Sequence, residues 1–314
     1  MSAPASDSNT DLYLLHANGV PLTASGKVLH LELGAGDVAN NIITVGSEGR
    51  SEILASLLTA ASTTRSKRGF VTHTGRFNGV PASIVLINMG YPNMDFLVRE
   101  VRAVTAGPLR IIRLGSCAGL RADLPVGTVA VASEGSLFIS QNPDAWAGTV
   151  PTKPDGPASS SSAAAFGQHE AASRQPYVFH GVAEADEKLS SALLRELKRS
   201  LGEEAVVGCL NASADSFYAS QGRLDSSFED RNEDLIQSLL ARHPTAGSFE
   251  METFQLLHLA RLCRKSTVHA SAASIVLANR VADDAIEVDR ISQIERAAGE
   301  AALRAVTSFG SADT

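Results

Sequence analysis

Apolar, mostly branched residues come in short runs along this chain, and several of those runs stop at a glycine. Residues 42–45 precede Gly46, residues 84–89 precede Gly90, and residues 109–114 precede Gly115. Two further runs, 126–132 and 206–212, have the same character. Runs without regular polar alternation suit strands covered on both faces. Between them the apolar positions change to a helical period. Ile53, Leu54, Leu57 and Leu58 form a stripe after Gly46, and Phe96, Leu97, Val101 and Val104 form another after Pro92. Met251, Phe254, Leu257 and Ala260, flanked by Leu256, Leu259 and Cys263, make a broad apolar face. Near the end, Ile291, Ile294, Ala298, Ala301 and Ala305 recur at helical spacing behind Asp289, a residue type that caps helices. Strands alternating with helices predict an α/β layered fold with helices on both sides of a sheet.

One segment departs from this pattern. Over about 141–175 the chain carries Pro143, Pro151, Pro154 and Pro157, then a serine run at 159–162 and an alanine run at 163–165. Such a composition buries too little apolar area to offset the entropy of ordering it, which predicts a partly mobile surface insertion. The 314 residues are expected to form one domain, with 1–26 a loosely held extension.

Composition narrows the chemistry. At 44% hydrophobic, 19% charged and only 5% aromatic residues, the core must be aliphatic and alanine-rich. Lys plus Arg total 27 against 34 Asp plus Glu, a formal charge of −7. That balance argues against non-specific binding to nucleic acid, but a few converging arginines still make a local positive focus for a small anion. Cys117, Cys209 and Cys263 show neither metal-ligand spacing nor a disulfide framework, and the N-terminus has no basic-then-apolar signal pattern. A reducing, cytoplasmic setting is expected.

Four segments carry candidate chemistry. In VGSEGR at 45–50 a strand ends and a helix begins, which exposes backbone N–H groups to an anion, and Arg50 adds charge. The same glycines also serve turn geometry alone. In IIRLGSCAG at 111–119 an arginine sits inside an apolar strand, so Arg113 needs an anion nearby. That anion is either an internal carboxylate or a bound phosphate, the latter joined by the Ser116 hydroxyl. Cys117 reads as a small buried thiol. In the segment 213–223 the Gln221 amide and the Arg223 guanidinium stand two residues apart, beyond the rings of Phe217 and Tyr218. An amide offers a donor beside an acceptor and a guanidinium offers donors only, which together match the edge of a pyrimidine such as uracil. Met251 and Glu252, at the start of a helix, suit a ribose. Singly, each of these residues also has an ordinary role as loop, core or surface.

Their order along the chain resembles the nucleoside phosphorylases of the trimeric and hexameric type, and within them most closely the uridine phosphorylases. The matching blocks are VLHLEL at 28–33, GSEGR at 46–50, Arg68, FNG at 77–79, GYP at 90–92, IRLGS at 112–116, DSFY at 215–218, QGR at 221–223, FEME at 249–252 and NR at 279–280. The resemblance implies a three-layer αβα fold with a central mixed, partly barrel-like sheet. It implies that Gly46, Arg50, Arg113 and Ser116 bind phosphate with Arg68 of a neighbouring copy. It places His30 of that copy on the ribose 5′-hydroxyl, and Met251 and Glu252 on the sugar. Gln221 and Arg223 would hold the uracil edge, with Phe217 beside the ring, Leu277 and Ala278 lining the pocket and Arg280 near the base. Arg113, Arg223 and Glu252 would carry catalysis. The implied partners are nucleoside, inorganic phosphate as co-substrate and a second copy of the chain, with a homodimer as the minimum. No metal and no cofactor are implied.

Departures from the family pattern sharpen the expectation. Ser47-Glu48 replaces an Asp-Pro pair, and Ala118 replaces a glycine. Gly69 replaces a glutamate that helps bind a monovalent cation, so no such site is expected. Asn279 stands where purine-specific relatives carry an aspartate, which favours a pyrimidine. Phosphorolysis of uridine in pyrimidine salvage is therefore the expected activity, with 2′-deoxyuridine or thymidine as secondary substrates. The competing readings are a nucleoside hydrolase, which would need none of the three phosphate arginines, a purine phosphorylase, and a nucleoside-binding protein without catalysis.

Overall fold

The computed structural model describes residues 18–146 and 175–309. In chain order they form β1 (Asn41–Val45), α1 (Glu48–Ala55), β2 (Thr59–Arg65), β3 (Val71–Phe77), β4 (Val80–Leu86), α2 (Tyr91–Val104), β5 (Leu109–Gly119), β6 (Val129–Val131) and β7 (Ser136–Gln141). They continue with β8 (Tyr177–Ala183), α3 (Glu187–Leu201), β9 (Val206–Gly208), β10 (Leu210–Ala214), α4 (Leu235–Arg242), β11 (Ala246–Glu250), α5 (Thr253–Leu262), β12 (Val268–Asn279), β13 (Asp284–Ala285) and α6 (Val288–Ser308).

All thirteen strands belong to one mixed sheet with a main path β2-β3-β4-β1-β5-β11-β10-β7-β8. The sheet does not close into a ring, and the partly barrel-like sheet expected above is instead a branched one. β5 carries the branch: it pairs with β1 and β12 in parallel and, at its far end, with β11 in antiparallel. β1 is flanked by β4 and β5, both parallel, so Ile43 lies in register with Ile84 and with Ile112.

Strict alternation divides these strands between two cores. Ile43, Val45, Ile112 and Leu114 face one side, against Leu54 of α1, Leu193 and Leu197 of α3 and the alanines 298, 301, 302 and 305 of α6. Ile42, Val85, Leu109 and Ile111 face the other, against Met94, Leu97 and Val101 of α2 and Leu256 and Leu257 of α5. Both faces are thus covered, which is the reason the sequence shows unbroken apolar runs there. A third cluster joins Leu137, Ala212 and Phe249 to Leu235 and Leu239 of α4.

Several expected boundaries move. The run 206–212 breaks at Cys209 into β9, which pairs with β6, and β10, which pairs with β7 and β11. α6 starts at Val288 with Glu287 at the N-cap position, so Asp289 lies within the helix instead of capping it. Of the expected N-terminal extension, 1–17 lie outside the described residues; within 18–26, Leu22 bridges to Val28 and packs on the second core, and Thr23 is buried. The central part of the proline- and serine-rich insertion, 147–174, lies outside the described residues. Its flanks are the antiparallel pair β7 and β8. No helix among the described residues is long and apolar enough to cross a membrane.

The alanine-rich face of α6 lets it approach α1 closely at Gly299. A Cβ built there would stand 2.5 Å from Leu54 Cδ1 and 2.6 Å from Leu54 Cγ. Gly299→Ala is therefore expected to lower the unfolding free energy by about 1–2 kcal/mol: overpacking costs roughly 1–3 kcal/mol and helix propensity returns up to about 1. Urea unfolding of the purified variant measures this, and stability equal to the parent would show that Leu54 has room to turn away.

Candidate active site

The C-terminal ends of β1, β5 and β12, which run parallel, and the end of the antiparallel neighbour β11 meet at one place. The turn after β1, the end of β5, the end of β11 with the start of α5, and the end of β12 enclose a cavity of about 410 Å³. Gly46, Ser47, Arg50, Arg113, Ser116, Phe217, Gln221, Arg223, Met251, Glu252, Leu277 and Ala278 all line it. Leu277 and Ala278 do so because β12 bulges against β5 between Val276 and Ala278, and a bulge re-aims the side chains around it.

At one end lies Arg113. It follows Ile111 by two residues along β5 and so shares the face that α5 covers. Its Nη2 donates to Glu252 Oε2 at 2.8 Å, with both side chains buried. The internal carboxylate and the open guanidinium are therefore both present: Nε and Nη1 are buried and have no hydrogen-bond partner among the described residues. Unsatisfied guanidinium N–H groups are costly to bury, and they suit an oxyanion with several acceptor lone pairs. The glycine at 46 is required by this arrangement, since a Cβ there would lie 3.1 Å from both Arg113 Nη2 and the Asn88 carbonyl oxygen.

Arg50, from the first turn of α1, sits beside it. Its Nη2 donates to Ser116 Oγ at 2.6 Å and its Nη1 to the Leu114 carbonyl at 3.1 Å. Burial pushes the Arg50 pKa down, and the Glu295 carboxylate pulls it back up.

The carboxylates come next. Glu252 occupies the N-cap position of α5, where its Oε1 accepts the Gly90 N–H. Glu250, two residues earlier, also lines the cavity and was not singled out in the sequence. It accepts from Asn211 Nδ2, Ser213 Oγ and the backbone N–H groups of Glu252 and Thr253, so it caps the positive end of α5. Burial first, and then the Glu252 charge, push the Glu250 pKa up, while its donors oppose the rise. The signal for Glu250 was the one used for Arg113: a charge in a buried strand needs partners. Met89, which is 70% exposed, also lines the cavity and was missed, as were Phe249 and Cys117, and an exposed methionine carries no sequence signal.

At the far end, Gln221 and Arg223 are brought together as expected. Arg223 Nη1 donates to Gln221 Oε1 at 2.7 Å, which orients the amide with Nε2 toward the Glu250 carbonyl at 3.4 Å. The Arg223 guanidinium lies 3.6 Å from the centre of the Phe217 ring, which is 45% exposed and so is not core. Burial, followed by the like charge of Arg280, lowers the Arg223 pKa to about 10. Arg280 itself does not line the cavity. Its fork donates to the carbonyls of Gln221 and Gly222 at 3.1 and 2.8 Å, so it holds the backbone that presents the amide instead of reaching the base.

Two other sequence-derived residues lie away from the cavity of their own chain. His30 stacks on Phe96 with centroids 3.8 Å apart and meets Glu100 through Nδ1, and Arg68 is exposed on the turn between β2 and β3. Asn279 is fully engaged: Nδ2 donates to the carbonyls of Arg121 and Leu124, and Oδ1 accepts from the N–H groups of Val281 and Ala282. An aspartate there would set an anion against two carbonyls. Cys117 is a buried thiol whose pKa burial raises well above its usual value, which leaves it unreactive as a nucleophile.

Known proteins resemble this chain in sequence and fold. The chain is 38% identical to a solved uridine phosphorylase from the oomycete Phytophthora capsici, with a TM-score of 0.83 and coverage of 95% of this chain and 99% of that one. A uridine phosphorylase from Thermococcus kodakarensis is 28% identical over 266 residues, 84% of this chain and 82% of that protein. The nucleoside phosphorylase of Trypanosoma brucei has the same fold at 20% identity, with a TM-score of 0.70 over 92% of this chain and 99% of that one. The family model for the phosphorylase superfamily matches residues 41–309, and with that span covering the whole cavity this chain belongs to the phosphorylase superfamily.

Proposed function

We propose that this chain catalyses the reversible phosphorolysis of uridine to uracil and ribose 1-phosphate. One observation carries the reading: a single cavity holds buried, unpartnered guanidinium N–H groups at one end and an amide–guanidinium pair at the other, with a carboxylate between them. The identity to uridine phosphorylases over nearly the whole chain supports it.

In this reading, phosphate binds to Arg113, Ser116, Arg50 and the turn at Gly46, below C1′ of the nucleoside. Glu252 and Met251 hold the ribose, with the Glu252 carboxylate on a 2′- or 3′-hydroxyl. The C1′–N1 bond breaks with its electron pair leaving on uracil, positive charge develops on the ribosyl ring, and a phosphate oxygen forms the new bond to C1′. The anion beneath the ring stabilises the first charge. Donors from Gln221 and Arg223 stabilise the second, and the departing uracil anion takes a proton from water. This is electrostatic preorganisation with positioning, and it requires inorganic phosphate but no metal or cofactor. 2′-Deoxyuridine and thymidine are secondary substrates.

A homodimer is the smallest complete assembly in this reading, because His30 and Arg68 stand away from their own cavity and serve that of a neighbouring copy. Pyrimidine salvage in the cytoplasm is the setting the reaction fits.

Incubation with uridine should release uracil only when phosphate is present. Release without phosphate would identify a hydrolase, and no release under either condition would leave a binding protein. Arg113→Gln is expected to abolish phosphate-dependent release by removing the charge and the free N–H groups together. Arg223→Ala should lower kcat on uridine by about 10²–10³-fold, the usual cost of losing a donor to a developing anion. Unchanged thermal unfolding with normal turnover in that variant would remove Arg223 from the reaction.

A further inference from the structure

Glu295 lies on α6 and does not line the cavity, yet it is buried against Arg50, which does. Its Oε1 accepts from Arg50 Nε at 2.9 Å and lies 2.8 Å from Arg50 Nη2 in an ion pair. The other contacts of that guanidinium are the Leu114 carbonyl and Ser116 Oγ. Arg50 is 4% exposed and Glu295 7%, so neither is free to exchange these partners for water.

The direction of the hydrogen bonds has a consequence for Ser116. A guanidinium only donates, so Ser116 Oγ accepts from Arg50, and the hydroxyl hydrogen must point elsewhere. Ser116 lines the cavity, and its O–H is thereby left to donate into it. The Glu295 carboxylate also offsets the Arg50 charge. Arg50 is thus held more as a fixed donor frame than as a free cation, and the open N–H groups toward an anion are those of Arg113.

We propose that Glu295 is a positioning residue for the phosphate subsite, acting through Arg50 on the Ser116 hydroxyl. It touches no substrate, and the proposal rests on the phosphorolysis reading above. The carboxylate is the first link in a chain that runs Glu295, Arg50, Ser116, phosphate. Without it, Arg50 would be a buried guanidinium with part of its fork unsatisfied, and it would turn toward other acceptors.

The test compares phosphate with uridine. Calorimetric titration with inorganic phosphate gives its affinity directly, and steady-state kinetics give KM for each substrate on the full-length protein. Glu295→Ala is expected to weaken phosphate binding at least about tenfold, the range for losing a hydrogen bond to a charged group, while KM for uridine at saturating phosphate stays within about twofold. Glu295→Gln, whose amide oxygen still accepts from Arg50, should restore most of the affinity. A folded Glu295→Ala protein with parental phosphate affinity overturns the proposal, and so does a parallel rise in both KM values, which marks a general loss of structure. Where Glu295→Ala does not fold, Glu295→Asp, with its carboxylate drawn back by one methylene, should show the same selective loss on a smaller scale, and parental affinity there overturns the proposal. Uridine turnover by the unaltered protein tests the functional reading separately, so a protein that releases uracil with phosphate and ignores changes at Glu295 refutes only the positioning role.

Discussion

The Arg113–Glu252 ion pair is the constraint around which the rest of the site is arranged. A guanidinium in the middle of β5 is tolerable only beside a carboxylate, and the carboxylate arrives at the N-cap of α5, on the side of the sheet that α5 shares with Ile111. Desolvation makes such a pair a weak contributor to stability, but removing either member leaves an uncompensated buried charge. The pair therefore locks the geometry between β5 and the start of α5 in the cavity wall. It also leaves part of Arg113 unsatisfied, and that unmet capacity is what an anion would use.

Buried charge recurs around this pair in graded form. Glu250 caps α5 and sits under Glu252, held by Asn211 and Ser213 from the neighbouring strand. Arg50 is framed by Glu295, Leu114 and Ser116. Each group has its partners fixed by strands or long helices instead of loops, so the donors stand ready before a ligand binds. The Gln221 end is built differently: Gln221 and Arg223 lie on a short turn whose backbone is clamped by Arg280 and whose Phe217 ring is open to solvent. A buried Arg113 end and a more exposed Gln221 end share one cavity.

The central strands were legible because burial on both faces writes an unbroken apolar run. β12, the longest strand and the neighbour of β5 along its whole length, was not, because its alanines and serines lack the branched, bulky signature of a strand. Its small side chains follow from close packing, with Ser271 bonded to Ser190 of α3. β2 was missed for the opposite reason: it is an exposed edge strand of Thr, Ser and Ala. At the site, Arg113, Ser116, Gln221, Arg223 and Glu252 could be read because charge or amide groups stood in motifs of recognisable order. Arg280 was in such a motif and still took another role, since a guanidinium satisfies backbone carbonyls as readily as a ligand.

By itself the sequence determined the layered α/β class, the junctions where strands yield to helices, and the polar residues that had to find partners, because these depend on spacing and side-chain chemistry within short segments. Only the tertiary structure decided which partner each polar group found. Arg113 meets Glu252 across 139 positions and Arg50 meets Glu295 across 245. Contacts of that separation arise from how strands register and helices pack, and local pattern carries no record of them.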